Sequence, residues 1–242
     1  NQGEGSAARS SMDGMNLQWT NTLTYRFNLN DLHDFNFLLG HEWQDYHYER
    51  FSVGTKGQTN DKLTDISTGT RATSWDGVST SDYSRVSFFG RAEYNFADKY
   101  YAEASLRTDG SSKFAKAYRW GWFPSVSLGW NISNEPFMES AEGVDLKFRI
   151  SYGKTGNQEG IGNYAYQPKL SAGYNYGNES GFAVSDFGNE QLTWEKADQF
   201  DIGFDMGFFD DRLTFIIDAY LKNTTDLLYS MPVHGTTGRT SM

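Results

Sequence analysis

Cysteine is absent from the 242 residues. That excludes a disulfide scaffold and thiolate metal sites, and it leaves the compartment open. Proline is scarce, with 4 residues. No run of about 18 apolar residues exists, so the sequence holds no candidate transmembrane helix. A β-barrel stays open, because a barrel strand hides its apolar residues by alternation. Positive charge is short: 21 Lys and Arg against 31 Asp and Glu leave a net charge of −10. Nucleic acid is excluded as a partner on that ground, since phosphate binding needs a basic footprint. The opening Asn1-Gln-Gly-Glu-Gly-Ser carries no charged-then-apolar leader. The expectation is that a leader was removed or that the chain begins within a longer protein.

Aromatic residues and glycine are plentiful, at 17% and 25 residues. That mix suits long strands and irregular loops. The clearest stretch runs from Thr193 to Lys222. Phe200, Ile202, Phe204, Met206 and Phe208 fall on one parity, against Asp201, Gly203, Asp205 and Gly207. Successive strand side chains point to opposite faces, so this is one apolar and one polar face. Asp210-Asp211 turns the chain, and Leu213, Phe215, Ile217, Ala219 and Leu221 resume the apolar row. Ile216 and Tyr220 blur the polar side of this second strand. The pair reads as a hairpin.

The same alternation recurs upstream. Residues 1–14 are polar and small and read as loop. Strands follow around 17–27, 35–43, 86–96, 100–109, 125–132 and 146–152, with short turns at 28–34 and 97–99. Residues 133–144 have room for one helical turn after Pro136. Long segments at about 49–83 and 156–193 lack any helical period and read as loops, as do 110–119 and the irregular end from Asn223 to Met242. About eight strands of around ten residues each have the length of a membrane-spanning strand. Short and long connections alternate, the rhythm of outer-membrane barrels.

Arg26, Arg91, Glu93, Glu103, Arg107, Asp109, Lys147, Arg149, Asp201, Asp205 and Asp218 share the polar parity. A lipid-facing row excludes such charge, because Arg or Lys at the midplane costs roughly 2–4 kcal/mol. Aromatics gather near both strand ends. Tyr25, Phe27, Phe35, Phe37, Tyr94, Phe96, Tyr100, Phe208 and Phe209 lie by the short turns. Trp43, Trp120, Trp122, Tyr152 and Trp194 lie by the long loops. Two such girdles suit two membrane interfaces. The expected class is all-β, an antiparallel transmembrane barrel. Two alternatives remain: a self-contained eight-stranded barrel with a structural or adhesin role, and a soluble carbohydrate-binding β-sandwich.

Sites of other chemistry are weak. Tyr152-Gly-Lys-Thr155 lacks the earlier glycine of a phosphate loop, where Phe148 stands. Gly156 to Gly162 has no strand–helix context for a dinucleotide. His41 and His47 lie near Glu42, Asp45 and Glu49, yet read as a solvated strand end more readily than a metal site. Asp201 and Asp205 stand about 13 Å apart on one strand, too far for a glycosidase pair. No catalytic, metal or cofactor residues are assigned, and the chain reads as a non-enzyme. Candidates for lining a wet interior are Arg91, Glu93, Glu103, Arg107, Arg149, Asp201, Asp205 and Asp218. Tyr164, Tyr166, Tyr174 and Tyr176 are candidates for stacking on substrate in a long loop.

Several stretches resemble one family. They are Ser87 to Phe114, Trp122 to Trp130, Leu146 to Gln158, Leu192 to Phe204 and Tyr220 to Leu228. In this order and spacing they are similar to the barrel of SusC/RagA-type TonB-dependent outer-membrane transporters of Bacteroidetes. The resemblance implies import of large nutrients, glycan or peptide, driven by the TonB complex. It implies a SusD-like surface lipoprotein as partner, contact with lipid and lipopolysaccharide, and no cofactor. Transporters of this type have about 22 strands and a plugged lumen. With about eight strands and no plug domain, residues 1–242 are expected to be one part of such a barrel wall, with 49–83 and 156–193 as its long extracellular loops.

Overall fold

Alternation of β-branched or aromatic residues with polar ones forms long strands wherever neighbours can pair. A computed structural model describes residues 5–60, 62–71, 76–177, 179–232, 234 and 236. Eight long strands appear: β1 (Gly5–Leu29), β2 (His33–Gln58), β4 (Gly77–Phe96), β5 (Tyr100–Ser111), β6 (Trp120–Asn131), β7 (Val144–Asn157), β10 (Glu195–Phe208) and β11 (Leu213–Thr225). Shorter strands are β3 (Thr70–Arg71), β8 (Lys169–Ala172) and β9 (Phe182–Asp186). The main sheet runs β1-β2-β4-β5-β6-β7-β10-β11, with β3 added to β2, and β8-β9 form a separate ribbon. Along the path from β4 to β11, and in the β2-β3 and β8-β9 pairs, the strands run antiparallel.

The path has two ends. Among the described residues, β1 and β11 are not hydrogen-bonded to each other. The self-contained eight-stranded barrel needed that pairing, so that alternative falls. The sheet is part of a wall.

The chain divides into two compact units, residues 1–18 with 44–84, and residues 19–43 with 85–242. In the first, β2 pairs with β3 through Thr55↔Arg71 and Lys56↔Thr70. Asp76 accepts from the Gly54 N–H at 3.0 Å and from Arg71. Both bonds, that to Arg71 foremost, hold its carboxyl below the usual range. Here two expectations change. Residues 5–14, read as loop, are strand, and residues 1–4 lie outside the description. The 49–83 loop shrinks because β2 continues to Gln58 and β4 begins at Gly77. Residues 61 and 72–75 of that stretch lie outside the description. These strand extensions lack alternation, so backbone pairing alone defines them.

In the second unit the short turns use left-handed backbone. Asn30 and Asp31, Ala97 and Asp98, and Asp210 and Asp211 all have φ between 52° and 60°. Two successive positive φ values match the twist of a hairpin. Asn28 Oδ1 accepts from the Asp31 N–H, and Asn95 Oδ1 from that of Asp98. Residues 132–143 form two 3-10 turns, Ile132–Asn134 and Pro136–Met138, in place of the single turn expected. The 156–193 loop contains the β8-β9 ribbon, whose strands the sequence does not locate.

Register places the apolar parity in continuous rungs. Phe96, Tyr100, Trp130, Phe148, Phe204 and Ile217 make one. Tyr94, Ala102, Leu128, Ile150, Ile202 and Ala219 make the next, and Ala92, Ala104, Val126, Tyr152, Phe200 and Leu221 a third. This face is bare: Leu128 is 53% exposed, Val126 46% and Leu221 73%. Hydrophobic side chains buried among the described residues are Phe114, Phe123 and Trp194. A soluble domain does not leave so large a contiguous apolar face in water. The soluble sandwich therefore also falls, and the face meets lipid. Above it, Tyr152 donates to Asp198, Lys154 pairs with Asp198 and Lys196 with Asp226, marking the end of the apolar belt.

The small core sits beside the long connections. Phe114 packs at a tilt 5.2 Å from Trp194, which meets Phe123 edge-on at 5.5 Å. Leu192 and Ile161 pack against them. Gly156 permits this, because a Cβ there would collide with the Phe123 ring. Trp194 is thus 3% exposed and no member of an aromatic girdle, contrary to the sequence reading. Trp120, Trp122 and Tyr152 are exposed as a girdle requires, while Trp43 is half-buried.

Candidate substrate-facing wall

The opposite face of the second unit carries the charge. One rung aligns Glu93, Glu103, Ser127, Ser151 and Asp201, and another aligns Gly129, Arg149, Gly203 and Asp218. All eight lining candidates fall on this face. Three meet in one ion-pair group, and Arg91 and Glu93 meet in another. Arg149 grips Asp205 with two hydrogen bonds, 2.9 Å from Nε and 2.7 Å from Nη2, and reaches Asp218 at 3.0 Å. The fork of a guanidinium suits this bidentate geometry. Gly203 lies between, and a Cβ there would run into Asp218 and Arg149. Glycine at that position is what lets the ion pairs close across three strands.

A second cluster surrounds Arg107. Its guanidinium donates to both Asp109 oxygens at 2.9 Å and to Ser87 at 2.9 Å. Glu42 lies 3.5 Å away and also takes Arg85 at 2.9 Å. The Arg107 charge sits 5.3 Å from the centre of the Phe89 ring. Ser87 and Asp109 are buried, so this cluster is more enclosed than the Arg149 group.

The third group lies towards the short turns. Arg91 pairs with Glu93 at 3.2 Å. Asn36 donates to Glu93 and accepts from Arg26 at 3.1 Å. Glu103 stands directly opposite Glu93. Like charges so placed repel, and the Asn36 and Arg91 donors offset that on Glu93. A cavity of about 640 Å³ opens here, lined by Arg26, Asn36, Glu93, Tyr101, Glu103 and Ser127 among others. Asp201 accepts from Gln199 at 2.8 Å and Ser151 at 3.4 Å.

Some participants are not evident from alternation. Glu42, which reads in sequence as part of a solvated strand end, is an ion-pair partner. Phe89 and Phe123 interrupt the charged parity, which was the available signal for aromatic packing on this face. His47 Nδ1 lies 2.5 Å from Asp82, and His41 packs at a tilt 5.0 Å from Phe88. Of the loop tyrosines, Tyr174 and Tyr176 flank the tip of the β8-β9 ribbon and Tyr176 is 92% exposed. Tyr164 and Tyr166 occupy the turn before β8, where Tyr166 accepts from Gln167 at 2.6 Å.

An antiparallel sheet with one bare apolar face and one charged face is the wall of a transmembrane β-barrel. The family profile described as TonB dependent receptor-like, beta-barrel, matches residues 1–241, and the chain belongs to this family, whose members are outer-membrane proteins. It is 35% identical over 232 residues to TonB-dependent receptor P39 of Formosa agariphila, covering 92% of this chain and 22% of the relative. It is 35% identical over 213 residues to TonB-dependent receptor SusC of Bacteroides thetaiotaomicron, covering 83% and 20%. Among solved structures, the RagAB peptide transporter superposes with a TM-score of 0.87 at 34% identity, covering 97% of this chain and 26% of that one. The chain therefore spans about a fifth to a quarter of the length of these proteins.

Proposed function

We propose that residues 1–242 supply part of the wall and long loops of an importer that carries large nutrients, glycan or peptide, across the bacterial outer membrane. The charged sheet face, backed by a lipid-facing one, carries this reading. Arg91, Glu93, Glu103, Arg107, Arg149, Asp201, Asp205 and Asp218 line the hydrated interior. Arg149, Asp205 and Asp218 hold one another, so their first role is to keep a charged wall rigid. Glu103 and the 640 Å³ hollow beside it remain open to a polar solute.

The 156–193 segment extends on the extracellular side, where Tyr174 and Tyr176 offer flat faces to sugar rings or peptide. Uptake is energised by the TonB complex, and a SusD-like lipoprotein covers the outer mouth. The TonB-dependent receptor SusC among the relatives supports the TonB partner, and the RagAB peptide transporter supports peptide as a cargo class. Lipid and lipopolysaccharide surround the apolar belt. The chain performs no covalent chemistry on its cargo.

The test is uptake by cells carrying the full-length receptor, using labelled oligosaccharide and labelled oligopeptide mixtures. Import that requires both the receptor and TonB supports the proposal. Unchanged import after deletion of the receptor, with both mixtures, overturns it.

A further inference from the structure

The lipid-facing side is not uniformly filled. Ala102 sits on an outward rung between Tyr94 and Leu128. Large residues close the opposite side: Tyr100, Trp130 and Phe148. The result is an apolar hollow of about 390 Å³ whose lining includes Tyr94, Tyr100, Ala102, Leu128, Trp130 and Ile150.

The polar atoms on its rim are already engaged. Tyr94 Oη lies 2.8 Å from His33 Nδ1. Tyr100 Oη donates to Glu135 at 2.5 Å, and Trp130 Nε1 donates to the same carboxylate oxygen at 3.0 Å. The hollow therefore presents hydrocarbon to its occupant. Lys99 Nζ stands at its polar edge, 3.5 Å from Glu135. That edge lies beside the connections 97–99 and 132–143, the short-connection side that faces the periplasm in outer-membrane barrels.

We propose that this hollow seats one acyl chain of a glycerophospholipid from the periplasmic leaflet, with the headgroup at the level of Lys99. The hollow opens within the lipid-facing belt, so acyl chain is its surrounding solvent. Its volume lies in the range of small-molecule sites, of order 300–1,000 Å³, too small for a folded partner. The inference rests on the lipid-facing assignment of this face and does not depend on what the receptor imports.

The test uses the full-length receptor in nanodiscs of phosphatidylethanolamine and phosphatidylglycerol. The particles are exchanged into mild detergent, and native mass spectrometry counts the phospholipid that stays bound. The parent protein should retain one phospholipid. Ala102→Phe fills the hollow and displaces about two methylenes of the chain, which should reduce retention about tenfold. Ala104→Phe, one rung away, should retain lipid as the parent does. Ala102→Leu serves where the larger residue prevents insertion. Equal retention by the parent and the Ala102 variants overturns the proposal. Equal loss in the Ala102 and Ala104 variants shows unspecific annular lipid and also overturns it. A protein that stays folded and dispersed without detergent would instead contradict the lipid-facing assignment itself.

Discussion

Trp194 donates its indole N–H to the Arg119 carbonyl at 2.8 Å, across 75 positions of chain. This bond and the packing against Phe114 tie the connection between β5 and β6 to the start of β10. Replacing a buried tryptophan by alanine typically costs about 3–5 kcal/mol. Trp194→Ala in the full-length receptor should lower unfolding stability in detergent by that order. Trp194→Phe keeps the packing and loses the bond to Arg119, so its loss should be smaller. Equal losses would mean the hydrogen bond, rather than the packing, holds this end together.

Leu128 and Ser127 are neighbours on β6 that face opposite ways. Leu128→Arg puts a cation against hydrocarbon and should cost roughly 2–4 kcal/mol near the midplane. Ser127→Arg, on the polar face, should change stability little. Folding titrations into liposomes distinguish the two, and a reversed order would exchange the assignment of the faces.

Arg149 couples three strands through carboxylates that remain partly exposed. Exposed ion pairs contribute about 0.2–1 kcal/mol each. A double-mutant cycle on Arg149→Met and Asp205→Asn should return a coupling in that range. Gly203→Val should break the neighbouring Arg149–Asp218 contact without removing either partner, because its side chain occupies the space where the two meet.

Glu135 is held below the usual carboxylate range, first by the Tyr100 hydroxyl, then by the Trp130 indole, with Lys99 adding attraction. A lowered pKa in the folded state means the unfolded state binds the proton more readily. The stabilisation is therefore present above the ordinary glutamate range and is lost as pH falls through the lowered value. Stability should drop on acidification below about pH 4, and Glu135→Gln should flatten part of that drop. An unchanged acid profile in Glu135→Gln would remove Glu135 from the account.

Ala97 has φ of 52° in the turn between β4 and β5. Non-glycine residues other than Asn and Asp pay steric strain there, on the order of 1 kcal/mol. Ala97→Gly should raise the unfolding midpoint by a corresponding amount, measured by heat-dependent gel migration. A lower midpoint would mean the entropy of the unfolded glycine outweighs the relieved strain.

Much of the wall was legible because alternation is a local property. The rows Phe200 to Phe208 and Leu213 to Leu221 predict their own faces, and register confirms Phe200 beside Leu221 and Ile202 beside Ala219. Lining candidates were legible for the same reason, since Arg149 and Asp205 share a parity. Their contact was not, because register between β7 and β10 is set by pairing across a long insertion. Strand extensions beyond the belt were missed at 5–14, 49–58 and 77–83. Their sequence does not alternate, so no local pattern marks them as strand.

Sequence alone determined that this chain is a two-faced β wall, because lipid excludes charge from one parity and backbone pairing demands strands. It also carried enough family-specific motifs to identify the barrel. Tertiary structure decided that Trp194 lies in a core and not in a girdle, since burial depends on what folds over it. It decided which carboxylates Arg149 holds, and that the polar atoms rimming the hollow over Ala102 are engaged by Glu135 and His33. Those outcomes depend on the spacing of neighbouring strands, a quantity no local pattern encodes.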